Sequence, residues 1–217
     1  MNISITIPVY NESAKIVRDI KAAEEFLKKN DLSGEILVVD DGSSDNTSEI
    51  AGSAEVLRET VLKVIRYEPH MGKGYAVRKG IASAEGEYIA FIDSGSCIPL
   101  DYLKTGLEII RKNTAEIAHG SRRLPESRIL KKKSFLRRII PKYLRWVFIK
   151  WLGVSSELTD TQCGFKIYKG NVARELYGEC LTDGFLFDVE IILRAQKHGY
   201  RIKEFPVEWT ADPDSRL

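Results

Sequence analysis

The sequence predicts an α/β fold, a mostly parallel sheet flanked by helices. Two observations carry that expectation. Beta-branched apolar runs alternate with helical patterns through the first half of the 217-residue chain, the order that right-handed βαβ units produce. Three of those runs also stop on acidic or polar residues, in Ile3 to Glu12, Glu35 to Ser43 and Glu87 to Ser94. In an open parallel sheet, ligands bind beyond the carboxyl ends of the strands, so carboxylates gathered there can hold a metal, a ribose or a base.

Taken in order, strands are expected over 3–9, 35–40, 62–67, 87–92 and 115–119. Ser13 to Lys29 reads as an amphipathic helix with Ser13 as N-cap and Ile16, Ile20, Ala23 and Leu27 on one face. Further helices are expected over 45–51, 73–84 and 100–112. The second half is less regular. A polar turn, Asp160 to Gly164, leads into a short strand ending near Tyr168, followed by a helix over 185–198 and a last strand over 202–209. No repeat or low-complexity linker divides the chain, so one domain over 1–217 is expected.

Composition bounds the function. The apolar share is 43%, the charged share 29% and the net charge +2, ordinary for a globular protein. The distribution says more. Arg128, Lys131, Lys132, Lys133, Arg137, Arg138, Lys142, Arg145 and Lys150 fall in one stretch with no acid between them, which points to a phosphate-bearing surface. Phe135, Leu136, Ile139, Ile140, Trp146, Trp151 and Leu152 lie among these cations, the pattern of an interfacial amphipathic helical segment broken near Pro141. Because bulky aliphatics interrupt the cations, no nucleic acid is expected as partner. Cys97, Cys163 and Cys180 lack paired spacing and suggest a reducing compartment. The N-terminus lacks a signal-peptide pattern, and no apolar run approaches the roughly 20 residues of a spanning helix. A cytoplasmic chain, peripheral on a membrane, is the expectation.

The turn Val39-Asp40-Asp41-Gly42-Ser43 follows a buried run and precedes a helix. Its acids can accept from a base N–H or from ribose hydroxyls; a plain βα turn with Gly42 at positive φ and Asp45 as N-cap is the alternative. The first strand runs into Pro8-Val9-Tyr10-Asn11-Glu12 with no glycine fingerprint for a dinucleotide. The phosphates of a ligand therefore need another holder. A divalent metal (Mg or Mn) near Asp93 would stabilise charge on a diphosphate leaving group. Arg122 and Arg123 offer phosphate contacts, and Lys73, between Gly72 and Gly74, places a cation at a helix start. Asp188 and Glu190 read as acids suited to the first turn of a helix.

These motifs, with Gly120-Ser121-Arg122, Asp160-Thr161-Gln162-Cys163-Gly164-Phe165-Lys166 and Phe187-Asp188-Val189-Glu190, resemble glycosyltransferase family 2 of the inverting GT-A type. Within it the resemblance is to polyprenyl-phosphate sugar synthases, the dolichyl-phosphate glucosyl- and mannosyltransferases. It implies a Rossmann-like GT-A fold, with 1–122 binding a nucleotide sugar (UDP-glucose or GDP-mannose) and 123–217 facing a polyprenyl phosphate and the membrane surface through residues 128–152. Position by position, it implies that Pro8, Tyr10, Asn11, Glu12, Asp40 and Asp41 hold the nucleoside. Lys73, Asp93, Ser94 and Gly95 would face the diphosphate, with Asp93 the metal ligand. Asp93, Arg122 and Asp160 would be the catalytic set, and Arg123, Arg128, Lys131 and Gln162 would meet the acceptor. The stretch Asp93-Ser94-Gly95 departs from the family's D-x-D pattern, with glycine at the second acid. That departure leaves a catalytically impaired sugar-nucleotide-binding subunit as an alternative; a transferase acting on a sugar hydroxyl is another.

Overall fold

The computed structural model describes residues 2–130 and 150–211. Lys131 and nearly all of the basic amphipathic segment lie outside the described residues. Strands are β1 (Ile3–Val9), β2 (Gly34–Asp40), β3 (Thr60–Arg66), β4 (Tyr88–Ile92), β5 (Ile117–Ser121), β6 (Arg128–Ile129), β7 (Phe165–Lys169), β8 (Ile202–Pro206) and β9 (Glu208–Trp209). Helices are α1 (Ile16–Lys29), α2 (Thr47–Gly52), α3 (Lys73–Ser83), α4 (Tyr102–Arg111), α5 (Gly170–Gly178) and α6 (Phe187–Lys197).

Seven strands form one sheet in the order β3-β2-β1-β4-β7-β5-β8. The order reverses at β1, which pairs in parallel with both β2 and β4. Alternation along each strand sends side chains to two cores. Ile36, Val38, Ala90, Ile92, Phe165 and Ile167 join α1 and α4 on one face. Leu37, Ile89, Phe91 and Tyr168 join α3, α5 and α6 on the other. Burial on both faces explains why these strands read as continuous apolar runs.

Three elements differ from the sequence expectation, the unexpected short strand β6 among them. The last strand bends at Val207: β8 stays in the main sheet, while β9 pairs with β6 in a separate two-stranded ribbon. Helix α5 was not expected, although Val172, Ala173, Leu176 and Tyr177 have helical spacing and are buried. Ser13 does not cap α1, which starts at Ile16 without a side-chain cap; the Ser13 N–H instead donates to Asp45. Among the described residues no helix is long and apolar enough to cross a membrane.

Strand β7 decides what meets at the carboxyl edge. It lies antiparallel between β4 and β5, with Phe165 opposite Ile92. Its beginning, not its end, therefore sits at that edge. The turn 160–164 is delivered beside the end of β4 at Asp93 and the end of β5 at Arg122.

Candidate active site

At the reversal point, Asn11 and Asp45 knit the first two strand-end loops together. Asn11 has φ 56°, and its side-chain oxygen accepts from the Ser44 N–H at 2.8 Å and the Asp45 N–H at 3.3 Å. The Glu12 N–H donates to the Thr47 hydroxyl at 2.9 Å, and the Glu12 carboxylate pairs with Lys15 at 3.2 Å. Asp45 accepts from the Thr47 N–H at 3.0 Å, so it does serve the start of α2. Gly42 has φ 70°, the left-handed turn the sequence alternative required.

Asp40 and Asp41 differ in what they leave open. Asp41 is committed to the loop before α3: its two oxygens accept from Met71 N–H at 2.7 Å and Gly72 N–H at 2.9 Å, and His70 Nδ1 lies 2.9 Å away. Asp40 is fully buried; Oδ1 accepts from the Ser43 N–H at 2.9 Å and from the Ser43 hydroxyl. Its Oδ2 has no hydrogen-bond partner among the described residues. A buried carboxylate oxygen without a donor is costly, and a ligand N–H or O–H would satisfy it. Nearby, the half-exposed Tyr10 ring lies against His70, centroids 4.1 Å apart. Pro8 is buried within β1.

The second half of the site is a chain of alternating charges. Lys73 Nζ lies 2.7 Å from Asp93 Oδ1. Burial alone would lower the Lys73 pKa, but the Asp93 and Asp188 carboxylates more than offset it and raise it above the usual lysine value. Lys73 also stands over the rings of Phe91, at 5.5 Å, and Phe185, at 5.8 Å. Behind it, buried Lys166 is paired with buried Asp188 and donates to the Thr161 carbonyl at 3.2 Å. Burial pushes the Asp188 carboxyl up.

Arg122 and Asp160 form a two-point pair. Nε donates to Oδ2 at 2.7 Å and Nη2 to Oδ1 at 2.8 Å, and the Arg122 backbone N–H adds a third bond at 3.1 Å. Asp160 is 3% exposed. Burial would raise its pKa, but the Arg122 guanidinium reverses this and holds it below the ordinary carboxylate range. Glu204 of β8 fixes the turn by accepting from the backbone N–H groups of Thr159 and Asp160, both at 2.8 Å. Arg122 keeps Nη1 outside the pair and rests over the Trp209 ring at 5.8 Å. Gln162 is half-buried, Arg123 and Arg128 are exposed, and Lys131 lies outside the described residues.

Around Asp93 the chain is closely fitted. The Asp93 N–H donates to the Gly164 carbonyl at 2.8 Å, and a Cβ on Gly164 would overlap the Asp93 carboxylate. Ser94 is half-buried and Gly95 has φ 95°. Asp19 of α1 accepts from the Gly95 N–H at 2.7 Å and the Ser96 hydroxyl at 2.5 Å. Thus Asp93 is the carboxylate this loop presents. One carboxylate together with phosphate oxygens and water suits Mg²⁺ or Mn²⁺, which are often bound through one or two protein acids plus a substrate diphosphate. Among the described residues, the group able to share an ion is instead Glu175, Glu179 and His198. These lie on the helix surface, with His198 bonded to Glu175 at 2.9 Å and to Glu179 at 3.2 Å.

The structure therefore brings Asp93, Lys73, Arg122 and Asp160 together, and Tyr10, Asn11, Asp40 and Asp41 at the adjoining strand ends. Sequence reasoning missed His70, Lys166 and Glu204, whose partners are distant in sequence. Asp188 and Glu190 do stand in the first turn of α6, as expected, and each has a further partner: Asp188 pairs in the interior with Lys166, and Glu190 holds the preceding loop by accepting from Leu181 and Thr182 N–H groups at 2.9 and 2.8 Å.

A sheet that reverses at β1, with acids at its carboxyl edge and cations facing them, fits the GT-A type of glycosyltransferase fold. The sequence matches Glycosyl transferase family 2 over residues 4–176, and the chain belongs to that family. It is 34% identical over 225 residues to a dolichyl-phosphate beta-glucosyltransferase of Dictyostelium discoideum, covering 99% of this chain and 68% of the relative. It is 31% identical to the Drosophila melanogaster enzyme of the same name, covering 100% and 69%. The fold resembles that of glucosyl-3-phosphoglycerate synthase from Mycobacterium tuberculosis in complex with Mn²⁺, UDP and glucosyl-3-phosphoglycerate. The TM-score is 0.74 at 16% identity, over 100% of this chain and 73% of that one.

Proposed function

We propose that the protein transfers glucose from UDP-glucose to a polyprenyl phosphate of the dolichyl type, with inversion, at the cytoplasmic face of a membrane. The observation that carries this reading is the similarity to dolichyl-phosphate beta-glucosyltransferases over nearly all of this chain, joined to a site where Lys73 is paired with Asp93 and Arg122 with Asp160.

The nucleoside is read onto the first three strand ends. The free oxygen of Asp40 accepts from the base or ribose, Tyr10 with His70 offers a ring face, and Pro8, Asn11, Glu12 and Asp41 shape the loops. Lys73, Ser94 and Gly95 line the diphosphate side. Asp93 would hold a divalent ion together with donor phosphate oxygens and water; the neighbouring fold in complex with Mn²⁺ and UDP supports that. Such an ion supplies electrostatic stabilisation of the departing diphosphate.

A phosphate acceptor is already ionised near neutral pH and needs no strong base to remove a proton. That agrees with Asp160, whose carboxylate is closed by Arg122. Its role is to orient Arg122, which places Nη1 toward a phosphate. Gln162, Arg123, Arg128 and Lys131 are the further acceptor contacts, and residues 128–152 the membrane contact.

The test is transfer of labelled glucose from UDP-glucose to a polyprenyl phosphate in detergent, with Mn²⁺ or Mg²⁺ and with chelator. A chloroform-soluble glucosyl lipid that requires the metal is the expected result. Product from GDP-mannose but not UDP-glucose would overturn the donor assignment. No product from either, with UDP still bound, would favour a binding subunit.

A further inference from the structure

The loop between α5 and α6 presents three large apolar side chains to solvent within six residues. Leu181 is 81% exposed, Phe185 51% and Leu186 53%. Isolated exposed leucines are ordinary, but a clustered apolar surface marks a binding site. This loop is also held in place by many bonds. Glu190 accepts from the N–H groups of Leu181 and Thr182. Arg78 donates to the Cys180 carbonyl at 2.8 Å and to the Asp183 carboxylate at 2.5 Å. The Asp183 carbonyl accepts from Gly74 N–H at 2.7 Å and Tyr75 N–H at 3.2 Å, tying the loop to the start of α3. Its anchors fix the backbone while the apolar side chains stay outside the core.

The position of that surface indicates what covers it. Phe185 lies against Lys73, whose ammonium is paired with Asp93, so the apolar face begins where the cationic centre ends. With Lys73 on the donor-diphosphate side, an acceptor phosphate that attacks beside it lays its hydrocarbon tail along this face. We infer that Leu181, Phe185 and Leu186 form the contact for the first isoprene units of the acceptor, next to its phosphate, and so contribute to selection of an isoprenoid phosphate over a phosphate without such a tail. The inference rests on the proposed transfer to a polyprenyl phosphate and assigns part of this chain to the lipid tail.

A tail site differs from a general membrane contact in one measurable respect: it acts on a single acceptor molecule in detergent, without a bilayer. Two measurements on the full chain separate the inference from the reading beneath it. In the first, a short isoprenyl phosphate ending in benzophenone is photolysed with the protein and the labelled peptide is mapped. Labelling within 180–187, competed by polyprenyl phosphate but not by inorganic phosphate, is expected. In the second, Leu181→Ser/Leu186→Ser and Phe185→Ser are assayed with a long polyprenyl phosphate and with a two-unit isoprenyl phosphate. KM for both acceptors should rise roughly tenfold, as loss of a buried apolar contact implies. KM for the UDP-sugar should be unchanged in the double variant, and melting temperatures unchanged in both.

Label elsewhere, together with unchanged KM for the long acceptor, would overturn the inference while leaving the transferase reading intact. Weaker binding of the variants to anionic phosphatidylserine vesicles, with unchanged KM in detergent, would also overturn it in favour of a bilayer contact. Label in the loop from a wild-type protein that transfers no sugar would keep the tail site and overturn the transfer reading.

Discussion

Arg122 closes both carboxylate oxygens of Asp160 at 2.7 and 2.8 Å, so the acid of the polar turn serves as a guanidinium holder. Asp160→Asn leaves Arg122 without its counter-charge, and breaking such a buried pair costs on the order of 3 kcal/mol. A large fall in turnover and in the urea midpoint is expected. Because Asp160 is held ionised below the ordinary carboxylate range, it has no proton to exchange near neutrality. The acidic limb of the pH–rate profile should therefore keep its position in the residual activity. A displaced acidic limb would identify Asp160 as the base.

Gly164 sets the standing of Asp93. A methyl group there overlaps the Asp93 carboxylate, and crowding of a packed site typically costs about 1–3 kcal/mol. Gly164→Ala should lower kcat at least tenfold by displacing that carboxylate, with UDP affinity in the absence of metal retained. Isothermal titration with UDP, with and without Mn²⁺, checks this: the metal-dependent gain in affinity should shrink.

Restoring an acid at Gly95 is expected not to improve the enzyme. Its φ of 95° is a conformation that L side chains disfavour, with a penalty of about 1–2 kcal/mol for left-handed backbone. Its N–H is held by Asp19, so the new carboxylate joins an acidic neighbourhood. Gly95→Asp should melt at lower temperature and show no tighter Mn²⁺ binding by electron paramagnetic resonance. Tighter binding would mean that the loop rearranges.

His119 lies in the core of β5, 1% exposed, with neither ring nitrogen hydrogen-bonded among the described residues. Burial, and then the Lys166 ammonium, push its pKa well below the ordinary value. The unfolded chain binds this proton near pH 6.5 and the folded chain does not. Its stabilising contribution is thus full above pH 6.5 and lost as pH falls, by up to about 1.4 kcal/mol per pH unit. Replacing it by Phe should flatten the loss of stability between pH 7.5 and 5.5, read by chemical denaturation at both values. Parallel slopes for the two proteins would refute the assignment.

Much of this architecture is legible in the residues because local signals suffice for it. Apolar runs such as Ile36 to Val39 mark strands buried on two faces, and Gly42 and Asp93 mark where they stop. The direction of β7 is not local: Phe165 to Lys169 would read the same in either orientation, and only pairing with β4 and β5 sets it. For the same reason Asp160 and Arg122 can each be singled out in the sequence, but their pairing across 38 residues cannot. Lys166 and Asp188 look like surface charges in sequence; the fold buries them against each other. Helix α5 carries the right spacing, yet it directly follows β7 with no linker to announce it.

The reversed strand β7 couples two loops that the sequence keeps far apart. The end of β4 carrying Asp93 is tied to the start of β7 through the Ile92–Phe165 rung and the Asp93 N–H to Gly164 bond, and Glu204 holds the preceding turn at Asp160. A shift of either strand end would therefore be felt at both carboxylates together.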